Sequence, residues 1–317
     1  RAAAGCFAGC DAVLALGCKF GEMSSSKWLM SIKGKLIHVD QNPEVLDRNY
    51  PAEVKLRADA AEALRAILSQ IDRDPPRDPG SLKEAIAQAR RKELQRIEKI
   101  ESKEGVHPSR LLQRLRKRVE RDAVVVTDCG SHQLWAVLDW QGLSPRTFLT
   151  PADYQAMGFG VPAAVGACLA RPDRRAICLT GDGGLLITGF ELLTAVREGL
   201  RLQVIVFNDG ALGLIKDMQT KFYGRSESVQ LRPPDYRQLA LALGAEYVAI
   251  SGDRDLEEGL SQMEQSRSVV LVDVKVDYSQ WPDFIDRAVK ARFLALPLGE
   301  KVRMLYQRAL RFLKQRS

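Results

Sequence analysis

The feature that most constrains the fold of this 317-residue chain is a pair of short apolar segments, each followed directly by acidic residues. The segment 175–180 runs into the Gly-Asp-Gly turn 181–183, and the segment 202–207 runs into the Asn-Asp pair 208–209. Apolar residues at helical spacing lie between them, which predicts a strand-helix-strand crossover. The two strands of such a unit are parallel, so their carboxyl ends meet at one edge of a sheet, where ligands bind in open α/β folds.

The polar residues at this edge suit a divalent cation and a phosphate group. Asp182 and Asp209 offer carboxylate oxygens, which are the hard ligands that Mg²⁺ prefers. Gly183 and Gly184 stand at a helix start, where free backbone N–H groups favour a phosphate. A Gly-Asp-Gly triplet is also common in surface turns, and Asp209 before Gly210 equally fits an Asx turn. The flanking strands and the second polar pair favour a metal ion that holds a diphosphate.

The turn and the pair together resemble the cofactor motif of thiamine diphosphate (ThDP) enzymes, in which Gly-Asp-Gly is followed by about two dozen residues and Asn-Asn. The resemblance implies that Mg²⁺ is bound by Asp182, Asp209 and the backbone carbonyl of Ala211. The family commonly has asparagine at the position of Asp209, and an acid there is a compatible oxygen donor. Asn208 is then expected to brace the turn or the diphosphate.

A second resemblance lies in residues 127–135, directly after the apolar strand 123–126. This segment is similar to the loop of acetolactate synthases whose small and polar residues hold the outer phosphate. Gly130, Ser131 and His132 match that loop in place, although Ser131 replaces the usual glutamine. A lone histidine is more often structural, but a strand-end position favours His132 as a phosphate contact.

A third segment, 157–167, is rich in small residues, a pattern typical of a tightly packed helix. In the family, the methionine at the position of Met157 lies beneath the cofactor and holds it bent, and an unbranched thioether suits that role. Met157 is therefore the expected catalytic residue of this chain. The expected cofactor-binding residues are Gly130, Ser131, His132, Gly158, Gly181, Gly183, Gly184 and Asn208. The family's activating glutamate belongs to a pyrimidine-binding domain, which is expected to lie outside this chain.

The alternation of strands and helices predicts an α/β fold, a doubly wound parallel sheet preceded by a partial Rossmann-like central domain. Residues 14–17, 37–40 and 49–52 resemble the later part of the central domain of acetolactate synthase-like enzymes. Four parts are expected: 1–72 from the central domain, 73–105 as a linker and charged helix, 106–280 as the domain that binds the ThDP diphosphate, and 281–317 as a basic amphipathic helical tail. Within 106–280, helices are expected at 109–120, 132–138, 157–169, 189–199 and 235–243, and strands at 123–127, 175–180, 202–207 and 269–274.

The distribution of charge and of apolar residues argues that this chain is neither a nucleic-acid-binding protein nor a membrane-spanning one. Residues 281–317 hold nine Lys/Arg and three Asp/Glu, so they carry +6 of the net charge of +7. No nucleic-acid-binding motif accompanies this charge, and nucleic acid is not an expected partner. No apolar run reaches the ~18–20 residues of a membrane span, and no signal peptide opens the sequence. Six cysteines, mostly in apolar segments, indicate reduced thiols in a cytoplasmic protein.

The resemblance implies ThDP- and Mg²⁺-dependent decarboxylation and carboligation of a small 2-oxoacid, with this chain supplying the diphosphate and metal half of the active site. A homo-oligomer or a paired pyrimidine-binding domain or subunit is expected to supply the other half. The alternatives are another ThDP 2-oxoacid decarboxylase or carbon–carbon lyase, and a catalytically incomplete fragment that acts as an interaction module. Met218 stands where biosynthetic acetolactate synthases have a tryptophan that helps to select the acceptor ketoacid. Residues 20–23 stand where those enzymes have an acid-acid-arginine stretch associated with FAD. Both departures argue against the biosynthetic branched-chain enzyme and make FAD doubtful.

Overall fold

The computed structural model describes residues 10–21, 24–25, 28, 30–71, 80–280 and 297–299. The chain divides between residues 98 and 99 into two compact units. The helical tail predicted at 281–317 lies outside the described residues except for 297–299, and so do residues 72–79 of the predicted linker.

The first unit contains a three-stranded parallel sheet in the order β1-β2-β3. Its strands are β1 Ala12–Leu16, β2 Lys35–Asp40 and β3 Val54–Arg57, and its helices are α1 Ala60–Gln70 and α2 Gly80–Glu98. Helix α1 begins after Asp59, whose carboxylate accepts the N–H groups of Ala61 and Glu62 and so caps the helix. A small apolar core forms around Phe20 and Leu36.

The second unit is built on a six-stranded, fully parallel sheet. Its strands are β4 Val124–Thr127, β5 Phe148–Leu149, β6 Ala176–Gly181, β7 Leu202–Asn208, β8 Glu246–Ile250 and β9 Val270–Lys275. Its helices are α3 Pro108–Arg118, α4 Ser131–Asp139, α5 Gly160–Ala170, α6 Asp182–Thr188, α7 Leu192–Arg197, α8 Gly213–Tyr223, α9 Tyr236–Ala242 and α10 Leu256–Gln265.

Helices cover both faces of this sheet, because its central strands are apolar on both sides. One buried cluster joins the strands to α3, α4 and α10, and includes Leu111, Trp135 and Leu260. The other joins the opposite face to α5, α7 and α9, and includes Val161 and Leu192. The predicted α/β fold with a doubly wound parallel sheet is confirmed.

The strand order places a topological switch point inside the second unit. The order is β5-β4-β6-β7-β9-β8, so β4 has its chain successor β5 on one side and β6 on the other. Ligands of open α/β sheets bind outside the carboxyl ends of the strands at such a point. Gly181 of β6 lies opposite Phe207 of β7, which brings the ends of these two strands level with each other.

Several elements differ from the sequence-based expectation. The helix predicted at 157–169 begins only at Gly160, because Gly158 has a φ of +86°, which lies outside the helical region. The helix predicted at 189–199 starts as a 3₁₀ turn at Gly189–Glu191 and is α-helical only over Leu192–Arg197, and the separate helix α6 precedes it. Strands β3, β5 and β8 and helix α10 were not predicted. Strand β5 has only two residues, and β8 at the sheet edge is partly exposed, so neither has a strong apolar pattern.

The described part of the chain contains neither a disulfide nor a transmembrane element. No helix within the described ranges combines the length and the apolarity that crossing a bilayer requires. None of the five cysteines among the described residues forms a disulfide. Cys168 and Cys178 are buried in the second unit, as the sequence predicts, whereas Cys10 is exposed.

Candidate cofactor site

A cavity of about 210 Å³ lies at the switch point, beyond the ends of β4, β6 and β7. The predicted site residues that line it are Gly130, Ser131, His132, Met157, Gly181, Asp182, Gly183, Gly184, Asp209 and Ala211. The fold therefore brings three separate sequence segments and Met157 to one place. Gly158 and Asn208 are the two predicted site residues that do not line this cavity.

Three buried polar atoms around this cavity have no hydrogen-bond partner among the described residues. They are the Ser131 Oγ, the His132 Nε2 and the Asp182 Oδ2. Buried polar groups in folded proteins are almost always paired, so unpaired ones need an explanation. Their presence on the wall of a single cavity indicates a polar ligand that would complete their hydrogen bonds.

Two buried carboxylates form the acidic side of the cavity. Asp182 is the first residue of α6, and its Oδ1 accepts the N–H of Gly183 at 2.9 Å. Burial raises the pKa of Asp182 to about 6, although the backbone N–H groups of Gly183, Gly210 and Ala211 act in the opposite direction. Burial, followed by the charge of Asp182, raises the pKa of Asp209 to about 7. The charge of Asp182 thus disfavours the charged form of Asp209, which a bound cation would relieve.

The donor set fits Mg²⁺ better than a metal held by the protein alone. No group of three or more His, Cys, Asp or Glu side chains with metal-ligand geometry occurs in the described residues. Mg²⁺ is typically held by one or two carboxylates together with phosphate oxygens and water. Asp182 and Asp209 would supply the carboxylates, and Ala211, which also lines the cavity, would supply a backbone carbonyl. The remaining positions would be filled by the diphosphate and water.

His132 forms the opposite wall, at the start of α4. Its ring is buried and lies 5.8 Å from the Phe207 ring, centroid to centroid. Burial lowers the pKa of His132 to about 4, so the ring is neutral at pH 7. A Cβ at Gly130 would lie 2.8 Å from His132 Cε1, and a Cβ at Gly181 would lie 3.3 Å from Nδ1. Both glycines are therefore needed for the ring to sit where it does.

Gly183 allows Met157 to approach the start of α6. A Cβ at Gly183 would lie 3.0 Å from Met157 Cε and 2.7 Å from Leu212 Cδ2, closer than ordinary contact. Met157 is partly buried and contributes its thioether to the cavity wall. The expected role of Met157 beneath the cofactor stays a prediction.

Asp128 is the structural residue that the sequence reasoning missed. It is fully buried, and its carboxylate accepts the N–H groups of Cys129, Gly158 and Phe159 at 2.7 to 3.2 Å. The Thr180 hydroxyl also donates to it, at 3.2 Å. Asp128 thus ties the end of β4 to the end of β6 and to the turn before α5. The available signal was an acid directly after a buried strand, next to the phosphate-loop residues.

This network explains two glycines that were expected to bind cofactor. Gly158 uses its N–H for Asp128, and its side faces Ile187 and Thr188, where a Cβ would lie within 3.0 Å of either methyl group. Gly184 packs against the Asp128 carboxylate so closely that any Cβ would collide with it. The small size of both residues is required by packing behind the cavity wall.

Tyr278 is a further cavity residue without a sequence signal. It follows the last strand and lines the cavity beside Asp209. Burial and the charges of Asp209 and Asp182 raise the pKa of Tyr278 well above its ordinary value. The phenol is therefore neutral at physiological pH and contributes a hydroxyl to the acidic side of the site.

A second cavity, of about 690 Å³, adjoins the first at the ends of β7, β8 and β9. Asn208 lines this cavity, as do Asp273, Tyr247, Lys275 and Asp209, the last of which borders both cavities. No residue lining it has a buried side-chain nitrogen or oxygen that lacks a partner. Asp273 bonds to Asn208 and Tyr247, and Lys275 bonds to Glu104, so these groups of the cavity are already paired.

Comparison with known proteins assigns both units to one family. Residues 128–274 match the family model "Thiamine pyrophosphate enzyme, C-terminal TPP binding domain". Residues 1–67 match the family model "Thiamine pyrophosphate enzyme, central domain". Thiamine pyrophosphate is another name for ThDP.

Among curated proteins, this chain is similar to acetolactate synthase large subunits. The isozyme 2 large subunit of Escherichia coli K12 is 30% identical over 278 residues, which are 86% of this chain and 49% of the relative. The probable large subunit of Methanocaldococcus jannaschii is 27% identical over 277 residues, 84% of this chain and 46% of the relative. The large subunit of Parasynechococcus marenigrum is 31% identical over 274 residues, 84% of this chain and 43% of the relative.

The chain spans about half the length of the curated relatives it matches. Within that half, the two matched family models together cover most of both units. The expected resemblance to ThDP-dependent, acetolactate synthase-like enzymes is confirmed. This chain belongs to the thiamine pyrophosphate enzyme family.

Proposed function

We propose that this chain binds ThDP through Mg²⁺ and supplies the diphosphate and metal half of an acetolactate synthase-like active site. The observation that carries the proposal is the set of three unpartnered polar atoms on one cavity, on Ser131, His132 and Asp182. A diphosphate with its bound cation presents both the negative and the positive groups that such a set requires. The second buried carboxylate, Asp209, supports the same ligand.

The residues divide into two walls with different tasks. Asp182, Asp209 and the Ala211 carbonyl would hold Mg²⁺ at one side of the cavity. Ser131 and His132, with the glycines beside them, would hold the outer phosphate at the other side. A neutral His132 contributes a ring nitrogen without charge, so Mg²⁺ neutralises most of the diphosphate charge.

When bound, ThDP supplies the electron sink for decarboxylation of a 2-oxoacid and for carboligation of the resulting fragment. The chain's own residues bind the cofactor, orient it and keep water from its diphosphate. Met157 would support the cofactor from the side of the cavity near Gly183. Relatives that are acetolactate synthases support a small 2-oxoacid as the substrate.

A partner surface supports the proposal that another polypeptide completes the site. The segment that follows Asp182 exposes Leu186, Ile187, Phe190 and Leu193, which are 42%, 58%, 70% and 49% accessible. Contiguous exposed apolar side chains mark interaction surfaces. We infer that a polypeptide carrying a pyrimidine-binding domain covers this face, and that the activating glutamate comes from it. Phe190→Glu would then weaken the association with that polypeptide in analytical ultracentrifugation.

The test of the metal and diphosphate half is calorimetric titration of the 317-residue chain with ThDP, in the presence and absence of Mg²⁺. The wild-type chain is expected to bind ThDP only with Mg²⁺, and Asp182→Ala is expected to abolish binding. Asp235→Ala is the matched control, because Asp235 caps α9 and lies outside the cavity. Its loss should cost about 1 kcal/mol of stability and leave binding intact.

Two outcomes of this titration contradict the proposal. Equal binding by the wild type and Asp182→Ala would show that the ligand does not use this cavity. Absent binding in both, with folded protein, would show that the cavity is not a cofactor site in this chain. Product analysis with pyruvate, once the partner polypeptide is supplied, then separates carboligation from simple decarboxylation or carbon–carbon lysis.

A further inference from the structure

Asn208 links the metal-binding turn to a buried carboxylate of a neighbouring strand. It is the last residue of β7 and directly precedes Asp209. Its Nδ2 donates to Asp273 Oδ1 at 2.9 Å, and its Oδ1 accepts the N–H of Gly210 at 3.2 Å. The nitrogen and the oxygen of the Asn208 amide are therefore both hydrogen-bonded, directly before Asp209, which would bind the metal.

The carboxylate of Asp273 determines which way this amide points. A carboxylate only accepts hydrogen bonds, so the NH₂ end of Asn208 must face it and the oxygen must face Gly210. Asp273 belongs to β9, where it pairs in register with Val206 of β7. Its other oxygen accepts the Tyr247 hydroxyl of β8 at 3.3 Å. Backbone pairing with β7 thus holds Asp273 beside Asn208, and Tyr247 contacts only the oxygen that Asn208 does not use.

The turn that follows Asn208 carries the groups expected to bind the cation. Gly210 has a φ of +64°, a left-handed conformation that a hydrogen bond from its N–H helps to fix. The Gly210 carbonyl accepts the N–H of Leu231, which anchors the far side of the turn.

We propose that Asp273 is a positioning residue for the metal-binding turn 209–211, acting through the Asn208 amide. The inference rests on the proposed function of the smaller cavity, because it concerns the cation bound there. Asp273 itself lines only the larger cavity and touches none of the expected ligands. Its contribution is to fix the amide and hence the turn before the cation arrives.

The test measures Mn²⁺ binding in the presence of ThDP, by the electron paramagnetic resonance signal of free Mn²⁺. In Asp273→Leu, which cannot accept from Asn208, the dissociation constant is expected to rise about 10-fold, as for other residues that orient metal ligands. Asp273→Asn keeps an acceptor oxygen and should restore affinity to within about three-fold of wild type. Tyr247→Phe removes the other hydrogen bond of Asp273 and should leave affinity unchanged.

A second readout does not depend on the metal. Hydrogen exchange of the metal-free chain, followed by mass spectrometry over peptides containing Gly210, should be faster in Asp273→Leu and close to wild type in Tyr247→Phe. If Asp273→Leu does not fold, Asn208→Ala breaks the same contact from the other side and should give both effects. Wild-type exchange and affinity in Asn208→Ala would overturn the inference.

The remaining outcomes separate this inference from the proposed function. Wild-type affinity in Asp273→Leu, or a loss as large in Asp273→Asn or Tyr247→Phe, overturns the positioning role while the metal site stands. A wild-type chain that binds no Mn²⁺ with ThDP overturns the proposed function and the inference with it. A loss restricted to Asp273→Leu, together with faster exchange at Gly210, supports both.

Discussion

The two cavities at the carboxyl edge of the six-stranded sheet use their polar groups in opposite ways. In the cavity of about 690 Å³, Asp273 accepts from Asn208 and Tyr247, and Asp277 accepts the N–H of Lys103. In the cavity of about 210 Å³, three buried polar atoms have no partner among the described residues. Size therefore does not identify the ligand site of this protein. Buried polar atoms without a partner that converge on one cavity do, because a ligand can be the partner that folding leaves out.

The two cavities adjoin each other at consecutive residues of the chain. Asn208 and Asp209 are consecutive, yet Asn208 completes the internal network of the larger cavity and Asp209 borders both. The two cavities are joined at Asn208, which bonds to Asp273 in the larger cavity. The predictions below test that division, beginning with the largest expected effect.

The largest difference between the two cavities is expected when one carboxylate of each is replaced and cofactor binding is measured. Asp182→Asn is expected to weaken binding of Mg²⁺ with ThDP by at least about 100-fold, more than a residue that only orients ligands. The metal-free variant should be more stable than wild type by about 1 to 3 kcal/mol, because burial disfavours the charge it removes. Asp277→Asn, in the larger cavity, should leave binding unchanged. Calorimetry and urea unfolding measure both quantities, and equal losses in the two variants would refute the division.

The acidic wall should make the metal-free chain less stable as the pH rises from about 4 to about 7. The pKa values of Asp182 and Asp209 are about 6 and about 7 in the fold, above the ordinary 3.8. Their contribution to stability is fully present below the unfolded pKa and is lost as the pH passes the folded values. The expected loss is on the order of 2 to 4 kcal/mol.

Urea unfolding between about pH 4 and about pH 8 measures this loss, with the double variant Asp182→Asn/Asp209→Asn as the reference. Burial lowers the pKa of His132 to about 4, so the contribution of this residue to stability is lost as the pH falls below its unfolded pKa. This loss is the same in both proteins. The difference between the proteins therefore isolates the carboxylates. Parallel pH profiles for the two proteins would contradict the prediction.

Crowding the smaller cavity should have an intermediate effect. Gly183→Ala places a methyl group against Leu212 and Met157, and is expected to weaken ThDP binding about 10-fold, because close core packing tolerates added atoms poorly. Gly166→Ala is the matched control in α5, since nothing lies within 4 Å of its added Cβ. It should raise stability by roughly 0.5 to 1 kcal/mol through helix propensity alone. Unchanged binding in Gly183→Ala would show that Met157 can move away.

The smallest effect is expected at the ion pair on the rim of the larger cavity. Lys275 and Glu104 form a salt bridge between side chains that are both about half or more exposed. Such pairs contribute about 0 to 1 kcal/mol, and Lys275→Met should change stability by no more than that. Binding of ThDP with Mg²⁺ should stay within about two-fold of wild type, because neither charge reaches the smaller cavity. A larger loss of binding would mean that the larger cavity also takes part.

Much of the fold follows from local patterns that the sequence displays directly. The apolar strands before Asp128, Gly181 and Asn208 are continuous and buried on both faces, which is why they were predicted to within a few residues. Strand β8 was missed because an edge strand is exposed in part and needs no apolar run. Helix α10 did have apolar residues at helical spacing, with Leu256 and Leu260 buried, and this signal was overlooked.

The candidate site likewise has residues whose role could be predicted from the sequence and residues whose role could not. Asp182 and Asp209 were predicted because they follow strands whose ends must meet, and that argument needs only sequence order and sheet geometry. The role of Asp128 could not be predicted in this way, because its partners Gly158 and Thr180 lie 30 and 52 residues away. Gly158 and Gly184 were assigned to the cofactor, although their size is also required by packing around that carboxylate and nearby methyl groups.

The sequence by itself determined the fold class, the family resemblance and the position of the acidic residues at strand ends, because each depends on neighbouring residues and on the periodicity of secondary structure. Only the tertiary structure decided which polar groups remain unpaired. That property depends on every partner within hydrogen-bond reach, including Asp273 for Asn208 and Asp128 for Gly158. Strand packing brings these distant residues together, and it leaves Ser131, His132 and Asp182 with atoms that no described residue satisfies.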